Sequence, residues 1–207
     1  MMDDFRVKPR SAQAIESTTL AWRHALGVTD NWAPDVVRLI EIDLPNVLPT
    51  PFALVVRDDT DMADAEGYTE FNPAHIAIRK STYCLARKFD GRSRMTLAHE
   101  LGHLVMHVSD GPRPRAVQAR RSEIPHFESA EWQASKFASL FLMPTHIVRQ
   151  FESVETLVAC CRVSRQAAEI RFKEVGHIRK TIPECAQTLA NEVRSRQPIF
   201  PKPKLVT

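Results

Sequence analysis

The sequence predicts an α+β fold in which a small antiparallel sheet packs on a mainly helical body. Apolar residues recur at helical spacing over most of the chain, whereas β-branched and alternating runs are confined to residues 52–80. The size is also bounded: 207 residues with 43% hydrophobic and 26% charged content are enough for one core with a small appendage. That composition excludes a disordered or membrane-embedded chain.

Pro9 and Ser11 precede a helical pattern of Ala12, Ile15, Thr19, Trp22 and Leu26, which Gly27 stops. A second helix is expected from Pro34 to Leu44, burying Val36, Val37 and Ile40 and ending at Pro45. The run FALVVR, residues 52–57, predicts a buried strand, and YTEF and HIAIRK alternate with period two, which completes three strands. Downstream the periodicity is helical over 96–108, 130–142, around Leu157, over 164–175 and over 184–194. These elements suggest a principal domain over 1–152, a helical, helix-turn-helix-like segment over 153–193 packed on it, and a basic Pro-rich tail over 194–207.

The first residues hold no apolar run suited to a secretory signal or a membrane span, so a cytoplasmic location without membrane contact is expected. Cys84, Cys160, Cys161 and Cys185 form no CxxC pair, which argues for reduced thiols. A net charge of +3 is too small to argue for nucleic-acid binding.

The segment MTLAHELGHLVMH contains HExxH, a pattern that a shuffled chain with this composition would show with probability roughly 0.02. Leu97, Leu101, Leu104, Val105 and Val108 give the segment an apolar surface, and no proline interrupts it. On a helix His99 and His103 lie about 40° and about 6 Å apart, so both imidazoles can reach one ion. Glu100 points about 100° away from His99, beside the ion, where a base for an attacking water belongs. His107 is about 12 Å along the axis from His99, too far to share that ion, and is expected to support the site or end the helix. Gly102 would allow another backbone or a substrate to approach closely.

Zinc needs a third protein ligand. The pattern HExxHxxGxxH is excluded, because Met106 stands where glycine would be required and Ser109 where histidine would be. A carboxylate from a later helix is the alternative. In ESAEWQASKFASLFLMP, Glu131 precedes the apolar stripe of Ala134, Phe137, Ala138 and Phe141 on the same side, where an acid is costly to bury without a cation. Glu128 is its nearest competitor, with capping as its simpler role.

These residues resemble the ImmA/IrrE family of metallopeptidases. The resemblance extends over IAIRKSTYCLARKFDGRSRMTLAHELGHLVMH and EWQASKFASLFLMP, and the segments VKPRSAQAIE and VSRQAAEIRF are similar as well. It implies a zincin-like domain holding Zn2+ through His99, His103 and Glu131, with Glu100 as catalytic base. It also implies a cytoplasmic endopeptidase whose substrate is a co-encoded helix-turn-helix repressor, cleaved to derepress stress or mobile-element genes. Phe141 stands where many members carry leucine.

Two short helices meeting near Arg162 and Val163, the second opened by Ser164, have the outline of a helix-turn-helix. Arg165, Arg171 and Lys173 would face phosphates, but Glu169 and Glu174 share their helix and the turn lacks glycine. Weak or no direct DNA contact is therefore expected, in favour of packing or repressor docking. Two other functions compete with the peptidase: a DNA- or repressor-binding regulator with a vestigial zinc site, and a deformylase-like hydrolase using Cys84 as a ligand. Tyr83 and His126 are candidate oxyanion donors, and an extended substrate is expected to pair with the sheet edge near Tyr68 to Ile78.

Overall fold

The computed structural model describes residues 4–108 and 124–179. Helix α1 (Ala12–Ala25) opens where the Ser11 hydroxyl accepts from the Ala14 amide at 3.1 Å, and Gly27 follows it at a φ of 69°. Helix α2, over residues 36–47, is capped by Asp35 and runs as α-helix Val36–Arg38, π-helix Leu39–Asp43 and α-helix Leu44–Val47. Pro45 therefore does not end it. The Leu44 amide reaches back to Leu39 O across the widened turn, which accommodates the proline ring and its missing N–H.

Strands β1 (Ala53–Arg57), β2 (Gly67–Phe71) and β3 (Ala74–Arg79) form a sheet in the order β1-β3-β2. The sheet is mixed where an antiparallel one was expected. β2 and β3 pair antiparallel, Thr69 opposite Ile76, and β3 lies parallel to β1, Val55 opposite Ala77. The buried strand is likewise β3, with Ile76, Ala77 and Ile78 wholly inaccessible, while β1 is an edge on which Val56 is 40% exposed. Insertion of β3 between the other two strands accounts for both differences.

Helix α3 (Lys80–Ala86) leads into α4 (Gly91–His107), which carries HExxH and starts five residues before the expected Thr96. Its cap is Asp90, whose carboxylate accepts from Ser93 N and Ser93 Oγ, both at 2.8 Å. Helix α5 (Ala130–Leu142) has the expected bounds and is opened by Ser129, which accepts from Trp132 N at 2.9 Å. Short α6 (Thr145–Val148), then α7 (Val154–Cys161) and α8 (Arg165–Arg179), complete the described chain. The helix expected over 184–194 and the tail over 194–207 lie outside the described residues.

Helix α4 packs along α5 on one side and against β2 and β3 on another, and α1 packs on α5. The core between them includes Ile15, Ile40, Leu44, Ile78, Leu101 and Phe137, all inaccessible. Burial of such side chains, worth about 1.5–3 kcal/mol each, fixes the α4–α5 pair on which the site is built. Two buried arginines join loops to this core by donating to main-chain carbonyls. Arg23 reaches Val28 O and Asn31 O at 2.6 Å, and Arg94 reaches Cys161 O at 2.7 Å and Pro34 O at 3.0 Å. Burial pulls both guanidinium pKa values down to about 10, so they remain charged at neutral pH.

The turn between α7 and α8 places Arg162 in the left-handed region at a φ of 53° and buries Val163. Arg171 does not face outward as a phosphate contact would. It is buried, donates to Met143 O at 3.0 Å and pairs with Glu174 at 2.9 Å. Arg165 pairs with Glu155 and Glu169, and Lys173 is exposed. No helix among the described residues is long and apolar enough to cross a membrane.

Candidate metal centre

The two histidines of HExxH stand one turn apart on α4, as the helical spacing requires, with His99 Nε2 and His103 Nε2 3.0 Å apart. Helix α5 crosses them closely because Gly102 has no side chain; a Cβ there would come within 3.1 Å of Ala134 O. This approach brings Glu131, in the first turn of α5, to both imidazoles. Its Oε2 lies 3.2 Å from His99 Nε2 and its Oε1 lies 3.3 Å from His103 Nε2. The ligand atoms of His99, His103 and Glu131 all fall within 4.8 Å of one another, and this group could hold a metal ion.

The chemistry of the donor set suits zinc: two imidazole nitrogens and one carboxylate converge, a set that would hold the ion while leaving it open to a small molecule. Burial opposes the charge on Glu131, but its place between the His103 and His99 imidazoles more than offsets this and holds the carboxyl well below the usual range. The second nitrogen of each imidazole also has a partner. His99 Nδ1 lies 3.3 Å from Ser135 Oγ, and His103 Nδ1 lies 3.3 Å from His107 Nδ1.

Glu100 is buried and faces the sheet, where Thr69 Oγ1 donates to its Oε2 at 2.8 Å and to its main-chain oxygen at 3.0 Å. Gly67 makes room for it, since a Cβ there would stand 3.1 Å from Glu100 Cγ. His99 and Glu100 both line a cleft of about 860 Å³, which Gly67, Met95 and Ser164 help to enclose. The cleft joins the motif helix, the β2 edge and the turn before α8.

The other residues singled out in the sequence lie elsewhere or play other parts. Glu128 pairs with Arg6 at 3.0 Å. Cys84 is exposed on α3 and outside the ligand group. Tyr83 is not placed as an oxyanion donor, because its hydroxyl donates to Glu41 Oε2 at 3.1 Å. His126 packs against Phe127 and Trp132. His107 is buried one turn beyond His103 on α4, with the two Nδ1 atoms 3.3 Å apart.

Several contributors escaped the sequence reading. Thr69, Ser135 and Gln133 touch Glu100, His99 and His107 respectively. Asp4 and Phe5 of the N-terminal segment also reach the site. Asp4 accepts from Ser129 Oγ at 2.6 Å and from Glu131 N at 3.2 Å, and Phe5 stacks on His103 with ring centroids 6.2 Å apart. Only Gln133 left a signal in the sequence, as an amide beside the apolar stripe of α5, where a polar group needs a partner.

The peptidase M78 family model, described as the IrrE N-terminal-like domain, matches residues 65–173, more than half of the chain and all three candidate ligands. No match to a curated protein was found. With that match over β2, β3, α4 and α5, the chain belongs to the peptidase M78 (ImmA/IrrE) family of metallopeptidases.

Proposed function

We propose that the protein is a zinc-dependent endopeptidase in which His99, His103 and Glu131 hold the ion and Glu100 is the general base. The observation that carries this reading is the convergence of three ligand atoms within 4.8 Å beside a cleft that Glu100 also lines. Zinc, when bound, supplies Lewis acidity toward water and the scissile carbonyl. Glu100 accepts a proton from the attacking water as the new C–O bond forms, and delivers it to the departing amine as the C–N bond breaks. Thr69 holds Glu100 Oε2 and so orients the carboxylate for both transfers.

The substrate proposed is a helix-turn-helix repressor encoded with the enzyme, whose cleavage derepresses stress or mobile-element genes. β2 is an edge strand that carries Gly67 at the cleft and Thr69 against Glu100, so an extended segment of the substrate would add along it through main-chain hydrogen bonds. The nature of that substrate supports a cytoplasmic location.

The test is incubation of the neighbouring repressor with wild type and with Glu100→Gln at equal zinc loading, followed by mass spectrometry of the fragments. Glu100→Gln should keep its metal and fold while cleavage falls by roughly 10²-fold or more. Equal cleavage by both proteins would remove Glu100 as the base. Repressor binding without cleavage by wild type would favour a regulator with a vestigial site.

A further inference from the structure

The family match begins at residue 65, yet residues 4–10 lie directly behind the ligand group. This segment crosses the start of α5. The Val7 amide donates to Glu128 O at 2.8 Å, Arg10 N to Phe127 O at 3.0 Å, and the Ala130 amide to Phe5 O at 3.1 Å. Its side chains enter a hydrogen-bond chain whose directions can be assigned one after another.

Gln133 Nε2 lies 2.8 Å from both Lys8 O and Phe127 O, and carbonyls only accept, so the amide nitrogen must face them. Gln133 Oε1 therefore faces the other way, toward Arg10 Nη1 at 3.1 Å and His107 Nε2 at 3.2 Å. Arg10 can only donate, and its second nitrogen is held by Met106 O at 2.7 Å. His107 must then donate from Nε2. In a neutral imidazole that leaves Nδ1 as acceptor, so His103 Nδ1, 3.3 Å away, carries the proton. His103 Nε2 is left with its lone pair directed at the ligand group, the state in which an imidazole binds metal.

We propose that this N-terminal arm completes the metal centre of the full chain: Arg10, Gln133 and His107 are positioning residues that fix the tautomer of His103, and Asp4 anchors the helix start that carries Glu131. The inference rests on the metal reading above. Phe5 covers His103 and stands edge-on to His107 with centroids 6.1 Å apart, which shields the relay from water and preserves its direction.

Two measurements test it. Histidine ring ¹⁵N spectra of the zinc-loaded full chain at pH 8 should find His107 protonated on Nε2 and His103 on Nδ1. Competition for zinc with a chromophoric chelator should find His107→Phe weakened about 10-fold or more. His107→Gln, whose amide can accept from His103 and donate to Gln133, should recover most of that loss. Arg10→Met should weaken zinc in the same direction, because Gln133 then loses the donor that fixes its orientation. The opposite tautomers, or equal zinc affinity in wild type and a folded His107→Phe, would overturn the proposal while leaving the metal reading intact. If His107→Phe fails to fold, the wild-type tautomers decide alone. A folded wild type that binds no zinc at all would remove the metal reading and this proposal together.

Discussion

Thr69 on the edge strand donates to Glu100 Oε2 at 2.8 Å, so the candidate base is oriented from the sheet and not from the helix that carries it. One net hydrogen bond to a charged group is worth about 1.5–3 kcal/mol. Thr69→Val, which keeps the shape and removes the hydroxyl, should therefore retain zinc and lower kcat/KM about 10-fold, and Thr69→Ser should restore most of it. Steady-state kinetics at matched zinc content provide the check, and an unaltered kcat/KM in Thr69→Val would remove this role.

The ligand assignment makes a graded prediction about metal content. His99→Ala, His103→Ala and Glu131→Gln should each lose zinc, since each removes one of three converging atoms. Glu128→Gln and Cys84→Ser should retain it, because Glu128 is paired with Arg6 and Cys84 lies outside the group. Elemental analysis of the purified, folded variants decides. Loss of metal from Cys84→Ser alone would revive the deformylase-like alternative.

Gly91 is required by packing at the start of the motif helix. A Cβ at this position would stand 2.5 Å from Val163 C and 2.6 Å from Ser164 N, both main-chain atoms that cannot rotate away. Gly91→Ala should cost about 1–3 kcal/mol, the usual range for forced overpacking, and lower Tm by about 2–4 °C for each kcal/mol. Calorimetry of the two proteins measures this, and an unchanged Tm would mean that the α7–α8 turn yields freely.

Glu174 links α8 to α5. Burial raises its pKa, but Lys136 Nζ, 2.8 Å from both carboxylate oxygens, and Arg171 more than offset this and lower it below its ordinary 4.5. The folded state thus binds this proton less readily than the unfolded chain. The resulting stability is present above the ordinary carboxylate pKa and is lost as pH falls from about 5 through the lowered value. Glu174→Gln should therefore have a lower Tm than wild type at pH 7, and the difference should narrow at pH 4. A constant difference across that range would exclude the ion pair as its cause.

The sequence by itself determined the features that depend on local helix geometry. The bounds of α5 were legible in the helical spacing of its apolar stripe, and the adjacency of His99 and His103 and the place of His107 one turn further on follow from a rise of about 1.5 Å and a turn of about 100° per residue. Glu131 was legible because an acid beside an apolar stripe is costly to bury without a partner. Only the tertiary structure decided which strand is central. The alternation in HIAIR suggests a half-exposed strand and the apolar run in FALVVR a buried one, yet β3 inserts between β1 and β2 and reverses their burial. Pro45 stays within a helix because the preceding π-turn widens, a choice that its immediate neighbours do not signal. Arg10 meets Gln133 across 123 positions, and Thr69 meets Glu100 across 31. No periodicity records such contacts, because they exist only once the core has brought separate elements together.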